Sequence, residues 1–122
     1  MKLEHDIYVV RSIDFDDSYC DAVIELNPES DIYKGHFPGN PITPGVVMIG
    51  IARELLARAI GTQLTLTDVS SVKYMSVLTP VASPCTTYII TYTVADGKVK
   101  AKATVKNDTT TFARISLTLD AQ

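Results

Sequence analysis

Apolar and polar residues alternate along much of the chain, with the period of two that is typical of half-buried strands. The pattern predicts five or six strands separated by segments rich in Asp, Asn, Gly and Pro. Their expected ranges are 7–13, 19–27, 69–78, 85–95, 98–106 and 111–120. Asp96-Gly97 is a strong hairpin signal, so the strands on either side of it are expected to pair antiparallel.

Between the second and third predicted strands the apolar period changes to that of a helix. From Pro44 to about residue 60, apolar side chains cover most of the helical circumference, and Gly61 supplies a C-terminal stop. A helix of this kind is expected to be wrapped by other elements. Several α+β folds fit one such helix followed by antiparallel strands, all of them with a single domain over residues 1–122.

Composition excludes several classes of function. A net charge of −3 argues against nucleic acid as the main partner. No apolar run approaches the roughly 20 residues that cross a bilayer, and residues 1–6 are acidic where a secretory signal would be basic and then apolar. We therefore expect a cytoplasmic protein without a membrane partner. Cys20 and Cys85 have no metal-binding spacing and are expected to be reduced, partly buried thiols, and neither a metal nor a cofactor is expected.

Lysines alternate with apolar residues in one predicted strand. Lys98, Lys100 and Lys102 are therefore expected on one face of the sheet. Such a row is typical of a solvated face that resists aggregation, and the alternative is a docking surface for an acidic partner.

The segment before the helix carries the candidate chemistry. It reads Gly-His-Phe-Pro-Gly-Asn-Pro-Ile-Thr-Pro-Gly over residues 35–45. Its prolines restrict φ, so the loop loses little conformational entropy on folding. Amides at the start of a helix carry the positive end of its dipole and would stabilise an oxygen that gains negative charge. A general base, His36, beside such a site is the layout of an enzyme that reacts α to a carbonyl.

These eleven residues closely resemble the GHFPxxPxxPG signature of 3-hydroxyacyl-[acyl-carrier-protein] dehydratases. The resemblance covers roughly residues 7–120 and includes the strand and proline turn of residues 71–81, although the family's usual N-terminal helix is shortened or missing. It implies the hotdog fold, an antiparallel β-sheet wrapped around one long central α-helix. It also implies that His36 removes the C2 proton of a 3-hydroxyacyl thioester while the Gly45 amide holds the carbonyl oxygen. The substrate contacts it implies are Phe37, Pro44, Val46 and Gly50.

The chain departs from the family at one position. The family carries Glu or Asp fourteen residues after the histidine, where it protonates the departing C3 hydroxyl, and this chain has Gly50. Loss of a general acid typically costs about 10²- to 10⁴-fold in rate. Glu54, one helical turn later, is a candidate substitute acid, and its alternative role is a surface ion pair with Arg58. Gly50 would also open space for a bulkier acyl group.

Three functions remain open at this point. The first is a 3-hydroxyacyl thioester dehydratase or hydratase of fatty-acid or related acyl-chain biosynthesis. The second is a non-catalytic acyl-thioester-binding or partner subunit of a heteromeric dehydratase, and the third is a hotdog thioesterase. The resemblance implies an acyl-carrier-protein or coenzyme A thioester as substrate. It also implies pairing edge to edge as a homodimer, or as a heterodimer with a related hotdog chain that keeps the acid.

Overall fold

The computed structural model describes residues 2–35, 39 and 41–122. Six strands and two helices follow one another in these ranges. They are β1 (Tyr8–Phe15), β2 (Tyr19–Leu26), α1 (Asp31–Lys34), α2 (Gly45–Ile60), β3 (Leu64–Tyr74), β4 (Cys85–Ala95), β5 (Lys98–Lys106) and β6 (Thr111–Ala121). Neither helix in this part of the chain is long and apolar enough to cross a membrane.

All six strands form one sheet in the order β1-β2-β4-β5-β6-β3, and every neighbouring pair is antiparallel. The turn between β4 and β5 confirms the hairpin expected there. Asp96 and Gly97 have φ values of 53° and 73°, the left-handed conformation that a tight two-residue hairpin requires at both positions. The edges of the sheet are β1 and β3.

One face of the sheet packs on α2. In β5 the apolar residues alternate with exposed lysines, and the predicted lysine face of Lys98, Lys100 and Lys102 is confirmed as exposed. The core side of α2 is apolar along its length, because its buried residues recur at helical spacing. They are Val47, Met48, Ile51, Ala52, Leu55 and Leu56. An antiparallel sheet folded around one long helix is the hotdog fold, which confirms the predicted fold class.

The limits of α2 follow from local chemistry. Pro44, the predicted first helical residue, instead occupies the N-cap with φ −62° and ψ 148°, so the helix begins one residue later, at Gly45. Gly61 ends the helix at φ 87°, and its amide donates to the carbonyl of Ala57. A left-handed glycine at this position is a common helix stop because glycine has no Cβ to clash.

Three sequence expectations need correction. The third strand runs over Leu64–Tyr74, so it begins and ends earlier than the predicted 69–78. It pairs with β6 through two register shifts, and such irregularities blur an alternating pattern. The short helix α1 was not predicted, although Ser30 caps it by accepting from the Ile32 amide. Of the two cysteines, Cys20 is buried and Cys85 is exposed rather than partly buried, and both are free thiols.

Candidate active site

Two buried hydroxyls close the base of the loop that carries His36. Tyr33, at the end of α1, and Thr43, just before α2, lie 2.7 Å apart between their hydroxyl oxygens. The Thr43 amide also donates to the carbonyl of Leu78 at 2.8 Å. The loop therefore begins and ends at fixed points in the core. His36 and Phe37 themselves lie outside the described residues.

The start of α2 presents free backbone donors. The first hydrogen bonds of the helix run from the amides of Val47 and Met48 to the carbonyl of Pro44. Within the described part of the chain, no hydrogen bond is recorded for the amides of Gly45 and Val46. Pro44 has no side-chain donor or acceptor to cap them. These amides point along the positive end of the helix dipole, which suits them to hold an oxyanion.

Tyr74, at the end of β3, lies against this helix terminus. A Cβ built on Gly45 would overlap the Tyr74 phenol, with Cε1 at 3.0 Å and the ring carbon and oxygen beyond it closer still. Tyr74 is half exposed, and partial burial raises the pKa of its phenol, so the hydroxyl keeps its proton at neutral pH. Sequence reasoning missed this residue, because the contact joins positions 29 residues apart.

Exposed apolar side chains concentrate at the start of α2 and in the segment around and after the end of β3. Val46, an expected substrate contact, is 77% exposed. The segment around and after the end of β3 adds Tyr74, Met75, Val77 and Val81, while Phe15, Ile89 and Val94 are exposed elsewhere on the sheet. An acyl chain or a second protein chain would remove this apolar surface from water.

Gly50 lies one and a half turns further along α2, and the space beside it is filled. A Cβ built there would lie 2.7 Å from Cδ1 of Leu3, and Leu3 is only 5% exposed. The expectation that Gly50 opens room for a bulkier acyl group is therefore wrong, because the chain's own N-terminal segment occupies that room.

Glu54 is engaged with the same N-terminal segment. Its Oε2 accepts from the Leu3 amide at 2.6 Å, and its Oε1 accepts from the Glu4 amide and the Tyr8 hydroxyl, both at 2.9 Å. The Arg53 guanidinium lies 3.8 Å from Oε2, and the Glu54 side chain is 11% exposed. Burial, followed by the bond to this carboxylate, raises the pKa of Tyr8.

The alternative role expected for Glu54, a surface pair with Arg58, is wrong. Arg58 instead pairs with Glu4, at 3.5 Å. The role of substitute acid stays a prediction, and the contacts of Glu54 favour a structural task because both carboxylate oxygens are already in use.

A concave region lies at the other end of α2, away from Gly45. This groove of about 740 Å³ is lined by residues of mixed charge from the N-terminal segment, α2 and the start of β3, among them Lys2, Glu54 and Arg58. It is separate from the loop and from Gly45. Among the described residues, no group of three His, Cys, Asp or Glu side chains is close enough to hold a metal ion.

Comparison with known proteins gives a family match over most of the chain. Residues 12–114 match the ApeI-like family model, described as ApeI dehydratase. A 3-hydroxyacyl-[acyl-carrier-protein] dehydratase FabZ of Legionella pneumophila (strain Corby) is 43% identical over 56 residues, which are 45% of this chain and 35% of the relative. The matched part thus spans about a third of that relative's length.

Solved structures share the fold at low sequence identity. The dehydratase heterocomplex ApeI:P from Xenorhabdus doucetiae superposes with a TM-score of 0.69 at 17% identity, covering 92% of this chain and 96% of the other. The ChsH1-ChsH2 complex from Mycobacterium tuberculosis gives 0.61 at 10% identity, covering 93% and 98%. At these identities the likeness concerns the fold alone.

Proposed function

Since the chain belongs to the ApeI-like dehydratase family, we propose that it acts on 3-hydroxyacyl thioesters as a hydro-lyase subunit. The observation that carries the proposal is the terminus of α2, where the free amide of Gly45 directly follows the loop that carries His36. The family match and the partial FabZ match support the reaction class.

In the proposed reaction, the neutral imidazole of His36 takes the C2 proton of the thioester. The electron pair left on C2 moves into the carbonyl, and the Gly45 amide stabilises the negative charge that develops on its oxygen. Collapse of this enolate forms the C2–C3 double bond and expels the C3 hydroxyl, which takes up a proton and leaves as water. The same steps in reverse hydrate an enoyl thioester.

Neither candidate position on α2 offers a free side chain for the general acid that gives a proton to the departing hydroxyl. Gly50 has no side chain, and both oxygens of Glu54 hold the N-terminal segment. We therefore propose that a related hotdog chain supplies the carboxylate and that this chain supplies the histidine. Two heteromeric complexes, ApeI:P and ChsH1-ChsH2, are among the proteins of the same fold, which supports pairing between related chains. The exposed apolar side chains near Gly45 suit such a contact.

A hydration assay tests the reaction class. Loss of the enoyl-thioester absorbance at high enzyme concentration is followed for the chain as purified, with coenzyme A and pantetheine thioesters as substrates. We expect slow hydration that is abolished in His36→Ala and retained in His5→Ala, since His5 is the other histidine and its side chain is 72% exposed. Equal rates in the parent chain and His36→Ala would refute the proposal.

A second candidate function is a subunit that binds acyl thioesters without turning them over. The packing of Leu3 against Gly50 favours it, because this helix cannot present an acid there. It predicts thioester binding without hydration, and hydration on mixing with a hotdog chain that carries Glu or Asp at the corresponding helix position. Recovery of only homodimer from the native cell would count against the heteromeric arrangement.

A further inference from the structure

The N-terminal segment, residues 2–7, is irregular yet firmly packed. It contains neither helix nor strand, but Leu3 is 5% exposed and Ile7 is fully buried. The Ile7 amide donates to the Leu3 carbonyl at 2.9 Å, and the Asn27 amide donates to the Ile7 carbonyl at 2.7 Å. Asp6 adds a bond from the Ser30 hydroxyl at 2.9 Å. The segment is thus tied to the chain that leads into the histidine loop.

Glu54 holds the other side of this segment. Unlike a surface carboxylate, it accepts two consecutive backbone amides, those of Leu3 and Glu4. Hydrogen bonds to a charged acceptor are roughly twice as strong as those between neutral groups. Arg58 adds a contact to the Glu4 side chain. The backbone of the segment is therefore fixed against α2 at a defined position along the helix axis.

This position of the N-terminal segment along α2 places Leu3 beside Gly50. Among the described residues, and apart from chain neighbours and the helix backbone, only Leu3 has atoms within 4 Å of a Cβ at Gly50, with Cδ1 at 2.7 Å and Cγ at 3.9 Å. A single methyl group would be accommodated by a small movement of the leucine side chain. A carboxylate side chain, with three (Asp) or four (Glu) further heavy atoms beyond Cβ, would require Leu3 to leave.

We propose that residues 2–7 form a plug, a segment that occupies the space beside Gly50. Glu54 is its latch, because the carboxylate holds the segment's backbone. Leu3 fills the place where the proposed reaction needs an acid. The inference rests on the proposed function and extends it. With the plug in place, the chain can contribute the histidine to an active site but not the acid. Its α2 cannot supply an acid even when one is introduced at position 50. Leu3 is then a positioning residue that closes this wall of the acyl site, and Glu54 acts through it.

The test is a double-mutant cycle with two readouts. Gly50→Glu, Leu3→Ala and their combination are compared with the parent chain for unfolding by urea and for hydration of a short enoyl thioester. We expect Gly50→Glu to raise the unfolding equilibrium constant about tenfold more in the parent than in the Leu3→Ala background. Hydration should rise about 10²-fold or more only in the combined variant, where the introduced carboxylate has room.

Leu64→Ala is the matched control, because Leu64 is 3% exposed and has no atom within 4 Å of the Gly50 Cβ position. Its effect on unfolding should add to that of Gly50→Glu without coupling. Leu3→Val replaces Leu3→Ala if the alanine variant does not fold. Additive unfolding effects, or an equal gain in hydration from Gly50→Glu alone, would overturn the plug. Coupled unfolding without hydration in any variant would support the plug and refute the proposed reaction.

Discussion

The phenol of Tyr74 packs against Gly45 and joins the end of edge strand β3 to the first residue of α2. Any side chain at position 45 would overlap the ring, which explains a glycine at a helix terminus where it offers no capping group. The contact also places a hydroxyl near the amide proposed to hold the carbonyl oxygen. The proposed oxyanion site therefore depends on β3 as well as on α2.

Gly45→Ala should destabilise the protein, although alanine is favoured over glycine by about 1 kcal/mol in a helix interior. The reason is the overlap with Tyr74, so Tyr74→Ala should relieve the cost. Urea unfolding of the two single variants and the double variant measures this coupling. Gly35→Ala is the matched control, because a Cβ there would meet nothing closer than 3.7 Å. Stabilisation by Gly45→Ala in both backgrounds would contradict the contact.

Glu54→Gln should loosen the N-terminal segment without unfolding the core. Glutamine keeps one acceptor oxygen and puts an NH₂ donor where the second amide needs an acceptor. We expect the amide protons of Leu3 and Glu4 to exchange with solvent at least tenfold faster, while those of the central strands are unchanged. Glu29→Gln, at an exposed position, serves as control. Unaltered exchange at both amides would show that Glu54 is not the latch.

Tyr33→Phe should weaken the base of the histidine loop. It removes a buried hydrogen bond and leaves the Thr43 hydroxyl unpaired, which costs about 1–3 kcal/mol in the free energy of unfolding. Tyr19→Phe removes an exposed bond to Asp14 and should lower the free energy of unfolding by less than Tyr33→Phe does. Urea unfolding of both variants makes the comparison. A loss no greater for Tyr33→Phe than for Tyr19→Phe would contradict the buried contact.

Stability should fall at alkaline pH. Burial is the main cause that raises the pKa of Tyr8, Tyr33 and Tyr88 above their ordinary value of 10.0, and it raises that of the Cys20 thiol to about 11. A group with a raised pKa holds its proton more tightly when folded. Each of these tyrosines therefore contributes to the free energy of unfolding. That contribution is complete below pH 10, the unfolded pKa, and is lost as the pH rises towards the folded pKa.

The measurement is the free energy of unfolding between pH 8 and pH 11. Each such group contributes a slope of at most about 1.4 kcal/mol per pH unit above its unfolded pKa. Tyr8→Phe removes one such group, so it should make the fall in the free energy of unfolding less steep by up to about 1.4 kcal/mol per pH unit. A stability that is constant up to pH 11, or a decline that Tyr8→Phe leaves unchanged, would contradict this account.

Much of the fold could be predicted because its determinants are local. The alternation in β5 and the Asp96-Gly97 turn depend on neighbouring residues, and the structure confirms both. The bounds of β3 were predicted wrongly, because its pairing with β6 contains register shifts that no single-strand pattern encodes. Edge strands have one partner and weaker alternation, so their limits are set by tertiary contacts.

The candidate site also has parts that local sequence predicts and parts that tertiary contacts decide. Its loop and helix start are contiguous in sequence, so a motif identifies them, and the helix start lies at Gly45 as expected within one residue. The contacts of Leu3 with Gly50 and Glu54 span about fifty residues and involve a segment without regular structure. Tyr74 and Gly45 are likewise distant. Such pairs are decided by packing, and the sequence alone offered no signal for them.

The most direct test of the proposed chemistry is exchange of the C2 proton, because this half-reaction needs the base and the oxyanion site but not the missing acid. A saturated acyl thioester, which has no C3 hydroxyl to lose, is incubated with the chain in D₂O, and deuterium at C2 is measured by mass spectrometry. We predict incorporation above the uncatalysed rate in the parent chain and in His5→Ala, and none above it in His36→Ala. Equal incorporation with and without His36, or none in a parent chain that binds the thioester, would contradict the assignment of His36 as the base.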